Sequence, residues 1–244
     1  MLKRAMTATG MTGTSSIRSR LEHRSRRGRA ASVTMVAVLG LSLSGCFSSG
    51  FVYVSRRSPD GTILGFKLPG KWATFDTQQV LEATNGPISA AEAKNIAAGE
   101  WEETFSSAPH PNADFFATAE NSKYPVGFAE ARPLNAGERD AFNMGSLRSE
   151  ILGTDPYSAP SPDPYNVTAY RDFASATNGL RGSSLTTNIK LSSGATATLS
   201  QIVEVDANTN WVFAITVSCR AACWGPNSGV INQVLKSWSV KGNK

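Results

Sequence analysis

Residues 211–217 read Trp-Val-Phe-Ala-Ile-Thr-Val, and two stretches before them, 185–191 (LTTNIKL) and 199–206 (LSQIVEVD), repeat the same period of two. Leu185, Ile189 and Leu191 share a face with Thr187, opposite Thr186, Asn188 and Lys190. Leu199, Val203 and Val205 oppose Ser200, Glu204 and Asp206, while Trp211, Phe213, Ile215 and Val217 oppose Val212, Ala214, Thr216 and Ser218. Alternation at that period is the signature of a strand, because successive side chains leave a pleated backbone on opposite faces. Gly194 and the stretch Asp206 to Asn210 leave room only for short turns, so the three strands are expected to pair antiparallel with their neighbours. One face is expected to be buried and the other more polar.

Downstream, Pro226 and Asn227 precede a helix whose Val230, Ile231, Val234, Leu235 and Trp238 form one stripe. Such a stripe needs a sheet to cover, and the odd-numbered face just described is the expected one. Upstream, Phe51 to Val54 reads as a first strand, and Pro59-Asp60-Gly61 as a turn into 62–68. Ser89 with Glu92 forms a capping box, with Ile88 and Ala93 at the staple positions, so a helix is expected from Ala90. Ala93, Ile96, Ala97, Trp101 and Phe105 continue at helical spacing, which would place Glu100, Glu102 and Glu103 on a solvated helix surface. A strand over Val126 to Ala131 is followed by Leu134, Asn135 and Glu138, which open a second helix striped by Met144, Leu147 and Ile151 and closed by Gly153. Between Gly153 and Asn166 lie four prolines, two tyrosines and no period, the mark of a surface loop. No internal repeat appears, so these elements predict a single α+β domain over 61–244.

The 244 residues carry a net charge of +5, but residues 1–45 hold eight basic residues against Glu22 alone, leaving 46–244 at −2. The folded part thus lacks the excess positive charge that phosphate binding needs, and a nucleic-acid partner is not expected. After the arginine-rich start comes the uncharged run Ala30 to Leu43, then Ser44-Gly45-Cys46. At 14 residues the run falls short of the roughly 20 apolar residues that cross a bilayer, and it fits a signal-peptide core behind a basic n-region. Leu43-Ser44-Gly45-Cys46 resembles the lipobox of bacterial lipoproteins, which implies that Cys46 becomes the N-terminus and carries a diacylglyceryl group. Two acyl chains suffice for stable anchoring. The chain would then divide into a signal peptide at 1–45, a lipidated tether with a short strand at 46–60, and the domain at 61–244. Ser25-Arg26-Arg27 resembles a twin-arginine export signal, although Gly28 and Arg29 follow where that signal has apolar residues.

Cys219 and Cys223 remain as a pair in an oxidising compartment, and a disulfide is the expected state. A metal site would need further ligands, and the chain beyond residue 45 has one histidine, His110, far away in sequence. No Cys-x-x-Cys motif of thioredoxin kind occurs.

The opening Phe66-Lys67-Leu68-Pro69-Gly70-Lys71-Trp72 resembles the strand followed by Pro-x-x-Trp of the PsbP-like fold. The close, Trp211 to Val217, a helix and Ser237-Trp238-Ser239-Val240, resembles that fold's last strand, helix and terminal strand. With a lipobox and a cysteine pair before the last helix, the chain resembles actinobacterial cell-envelope lipoproteins of the LpqN type over about 62–241. The resemblance implies an antiparallel sheet flanked by helices, an α/β/α sandwich, with no catalytic motif to carry over. It also implies an accessory role in binding a partner or ligand. A nuclear transport factor-like cone or a helix-grip fold shares the curved sheet and is the structural alternative.

There is no Gly-x-Ser-x-Gly elbow and no glycine-rich phosphate loop. His110 sits between two prolines in a loop. Trp72, Phe75, Trp101, Phe105, Phe115, Phe116, Tyr124 and Phe128 read as core, whereas Tyr157 and Tyr165 stand in a proline-rich loop where aromatic residues make good contact groups. The expectation is a non-enzymatic lipoprotein on the extracytoplasmic face of the cell membrane. It would bind an envelope partner protein or an apolar, lipid-like ligand, with no cofactor beyond the lipid on Cys46 and no metal. The alternative is an envelope-associated hydrolase, which an acidic pair or polar groups around His110 would favour.

Overall fold

The computed structural model describes residues 50–86, 88–113, 122–158, 164–176 and 178–242. Leu43, Ser44, Gly45 and Cys46, with the rest of the leader, lie outside the described residues, as do Phe115, Phe116 and 159–163 of the proline-rich loop. The chain runs β1 (Phe51–Arg57), β2 (Ile63–Pro69), β3 (Ala73–Asp76), α1 (Thr77–Asn85), α2 (Ala90–Gly99), β4 (Trp101–Ser106) and β5 (Val126–Pro133). It continues through α3 (Ala136–Asp140), α4 (Met144–Ser149), β6 (Tyr165–Ala174), β7 (Arg181–Lys190), β8 (Thr196–Val205), β9 (Trp211–Arg220), α5 (Ala221–Lys236) and β10 (Ser239–Lys241). Among the described residues the strands form two antiparallel sheets, one ordered β1-β2-β10 and one ordered β3-β4-β5-β9-β8-β7-β6. The class is therefore α+β with helices on an antiparallel framework, as expected, and β6 to β9 pair in chain order through short turns.

The register corrects which faces belong together. Val203 stands opposite Ala214 and Ile202 opposite Ile215, so the odd residues of β9 share a face with the even residues of β8. Ile215 and Val217 pack with Phe66, Leu68, Phe105 and the helical Ile231, Val234 and Leu235, and Ile202 lies against this cluster. Val203 and Val205 instead join Val212, Ala214, Leu134 and Leu147 on the other side. Helix α5 and the small sheet thus share one face of the large sheet, and α4 lies on the opposite face. Eight of the ten β9 residues are buried for this reason. Each apolar side chain so enclosed contributes about 1.5–3 kcal/mol.

Three boundaries also shift. The helix expected from Ala90 is α2 and ends at Gly99, so Trp101 and Phe105 belong to β4, and the three glutamates do not line a wet helix surface. The expected second helix is two, because Asn135 and Glu138 close one capping box and Asn143 with Ser146 starts another. Gly153 does hold the left-handed conformation, at φ 73°, with its N–H on the Ser149 carbonyl. Finally, α5 begins at Ala221, ahead of Pro226. The Cys219–Cys223 disulfide ties its first turn to the end of β9, and Asn227 Nδ2 donates to the Cys223 carbonyl across the proline.

Candidate functional site

Helix α4 is docked on β8 by Gln201, whose Nε2 donates to the carbonyls of Leu147 (3.3 Å) and Arg148 (3.0 Å). Leu147 points into the core and Arg148, next in sequence, points along the sheet toward β6. Its guanidinium forms a two-pronged pair with Asp155, Nε to Oδ1 at 2.9 Å and Nη2 to Oδ2 at 2.7 Å, while Nη1 donates to Asp172 Oδ2 and Tyr170 Oη, each at 3.1 Å. Tyr170 in turn donates to the same Asp172 oxygen at 2.5 Å.

Asp155 also accepts from the Tyr157 backbone N–H and from the Ser158 hydroxyl, which shapes the start of the proline-rich loop. The ring of Tyr157 consequently lies on that of Tyr170, with centroids 4.7 Å apart, and the Arg148 guanidinium stands 5.7 Å and 5.3 Å from the two centroids. Tyr157 remains 62% exposed and Tyr170 37% exposed. The electrostatics follow from the contacts. Burial works against the Asp155 carboxylate, but the hydrogen bonds from Arg148, Tyr157 and Ser158 hold it below the usual range. The bond to Asp155 keeps Arg148 charged, and donation to Asp172 raises the Tyr170 phenol. One cation between two carboxylates leaves the cluster with a net charge of −1 beneath an exposed aromatic pair.

Of the two tyrosines expected to form a binding loop, Tyr157 is part of this platform. Tyr165 is the first residue of β6, half-buried and opposite Ile189. Tyr170, Arg148 and Asp172 were missed by sequence reasoning. Tyr170 carried a weak signal, as an aromatic residue on a period-two segment, whereas the meeting of Arg148 with both aspartates is set by the docking of α4.

A second group of titratable residues lies on β4. Glu103 is 3% exposed on the face toward α5, and its carboxylate stands 3.3 Å from Arg56 Nε. Glu102 lies on the opposite face, paired directly across the ladder with Glu130 of β5. Like charges placed so repel. Burial, then the charges of Glu130 and Glu100, push the Glu102 carboxyl up to about 8. His110 is exposed in the loop that follows β4. Of the aromatic residues read as core, Phe105 is in the core cluster with Trp72 and Trp101 partly buried against it, and Phe128 is buried, whereas Phe75 is half-buried and Tyr124 is exposed.

No family model and no curated protein matches the sequence. Among solved structures, the crystal structure of LpqN, involved in cell envelope biogenesis of Mycobacterium tuberculosis, is similar with a TM-score of 0.42 at 10% identity, over 80% of this chain and 93% of that one. The solution structure of cyanobacterial PsbP (CyanoP) from Synechocystis sp. PCC 6803 is similar with a TM-score of 0.43 at 11% identity, over 82% of this chain and 97% of that one.

Proposed function

We propose that the protein is a lipid-anchored component of the cell envelope that binds a partner protein through the platform of Tyr157 and Tyr170. The observation that carries this reading is the placement of the aromatic pair. Two tyrosines, their rings 4.7 Å apart and tilted by 31°, are held by a half-buried, multiply bonded arginine, yet both stay exposed instead of filling the core. Ordering side chains before binding lowers the entropy lost on association. Rigid aromatic residues beside an arginine are the residue types that dominate interface energetics. Among the described residues strand β6, which carries Tyr170, is one of the two edges of the seven-stranded sheet, and its register shift between Val167 and Ala169 marks a bulge of the kind that discourages indiscriminate strand pairing. Contact through side chains therefore suits this edge better than strand addition. The anchor is proposed on the lipobox at Leu43 to Cys46.

A photo-crosslinking residue at position 157 in the full chain, expressed in its own cell, tests the reading. A discrete crosslinked species that disappears with Tyr170→Ala is expected. The same products with and without that substitution would overturn it. Intact mass of the membrane-extracted protein tests the anchor separately, by a mature chain that starts at Cys46 plus a diacylglyceryl group.

The pairing of Glu102 with Glu130 favours a second reading, a hydrolase in which a carboxyl with a raised pKa serves as general acid beside a second carboxyl. Glu102→Gln separates the two. It would abolish any hydrolysis of envelope glycans while leaving crosslinking at position 157 intact.

A further inference from the structure

Strands β1, β2 and β10 carry Arg56, Arg57, Lys67 and Lys241 and no aspartate or glutamate, in a chain whose residues 46–244 sum to −2. The register sorts these residues by face. Leu64, Phe66 and Leu68 point into the core, and Arg56, opposite Leu64, turns the same way to meet Glu103. The outer face is laid out in rows. Arg57, Ile63 and Lys241 form one, Ser55, Gly65 and Ser239 the next, and Tyr53 with Lys67 the third. Tyr53 is 56% exposed, and its hydroxyl end lies over Gly65, where a Cβ would meet it and would stand 3.2 Å from Ser239 Oγ. The glycine thus lets the tyrosine lie down and keeps the face flat. The adjacent acid, Asp60, is engaged in its own turn, accepting from the Thr62 N–H (3.0 Å) and hydroxyl (2.8 Å).

We propose that this face of the small sheet lies flat on an anionic lipid surface. The inference rests on the anchor at Cys46, from which it takes its geometry. Four residues lie between Cys46 and Phe51, and the five steps from one to the other reach about 17 Å at full extension, so β1 is the strand held nearest the membrane. Along β1 the seven residues span about 20 Å, more than twice the roughly 8 Å over which salt leaves charges visible to one another. Standing on its tethered end, the sheet would present only Tyr53 and Lys67 to the headgroups. Lying flat, it presents all three cations, with Tyr53 and Ile63 between them at the level where amphipathic aromatic side chains settle.

The test uses the lipidated protein extracted from membranes and reconstituted into vesicles of phosphatidylcholine alone or with phosphatidylglycerol. Amine labelling is read by mass spectrometry, with exposed Lys123 and Lys190 as internal references. Labelling of Lys67 and Lys241 is expected to slow about fivefold or more in the anionic vesicles, with the references unchanged, and to recover at high salt. Equal rates in both vesicles would overturn the proposal, and protection of Lys67 without Lys241 would overturn the flat placement. If the mass shows no acyl group, the anchor reading fails on its own. The face then stands or falls on cosedimentation of the unmodified chain with anionic vesicles, compared with the variant carrying Lys67→Glu and Lys241→Glu. Binding lost in the variant supports the face, and binding that is absent or unaltered overturns it.

Discussion

Arg148 of α4 grips Asp155 with two parallel hydrogen bonds and, through its remaining nitrogen, reaches Asp172 at 3.1 Å on the edge strand β6. A single side chain thereby joins a helix, the start of the proline-rich loop and the rim of the large sheet. Its substitution is the sharpest probe of the aromatic platform. Arg148→Ala leaves two carboxylates facing one another across the vacated space, and the expected cost is about 2 kcal/mol in denaturant unfolding. Tyr157 should be released as well, seen as faster proteolysis within 154–165.

Glu102 sets a pH dependence whose sign is fixed by its raised pKa. The unfolded chain loses this proton near 4.5 and the folded chain near 8, so the folded state holds more protons between those values and stability falls as pH rises through that window. Glu102→Gln removes the ionisable group. The variant should match the wild type near pH 4 and exceed it at pH 8 by about 1–2 kcal/mol after solvent screening, measured by urea unfolding at both values.

Closing a ring of five residues, the Cys219–Cys223 disulfide constrains little of the unfolded chain. Reduction, or replacement of both cysteines by alanine, should cost on the order of 2 kcal/mol and lower Tm by about 4–8 °C. Hydrogen exchange should quicken chiefly in the first turn of α5. A much larger loss would mean that the bridge supports more than that turn.

Gly127 on β5 faces α5 beneath the ring of Phe105, where a Cβ would collide with the Thr216 carbonyl of β9 and come within 2.7 Å of the ring. A backbone oxygen in a central ladder cannot yield as a side chain can. Gly127→Ala is expected to cost about 3 kcal/mol or more, visible as a soluble yield that collapses or a Tm lowered by about 6–12 °C.

The strands were legible because their period of two is written plainly in 185–217, and the caps at Ser89 and Asn135 were legible because the capping residues are local. Trp101 and Phe105 were misread for an instructive reason. They continue the 3.6-residue spacing of α2 by coincidence, and the punctuation that ends the helix, Gly99, is a weak signal on its own. The pairing of Val203 with Ala214 lay beyond the pattern for a different reason. Both faces of β9 are covered, so alternation could not say which face of β8 it joins, and register is decided by turn geometry and packing. The loop tyrosine Tyr157 could be picked out from its proline-rich surroundings. Its partners Arg148 and Tyr170 come from separate elements, and only the docking of α4 on β8 brings them together.

The small sheet also bears on how the chain completes itself. Strand β2 is flanked by β1, which precedes it closely, and by β10, whose Ser239 to Lys241 meet Gly65 to Ile63 from the far end of the sequence. Until β10 is in place, one side of β2 has open hydrogen-bonding groups, and Trp238 has not delivered its indole N–H to the buried Glu204. The small sheet therefore closes only when residues more than 170 positions apart have met. A chain lacking 239–241 retains nearly all of its apolar core, but it leaves an unpaired strand edge beside Arg57 and Lys67.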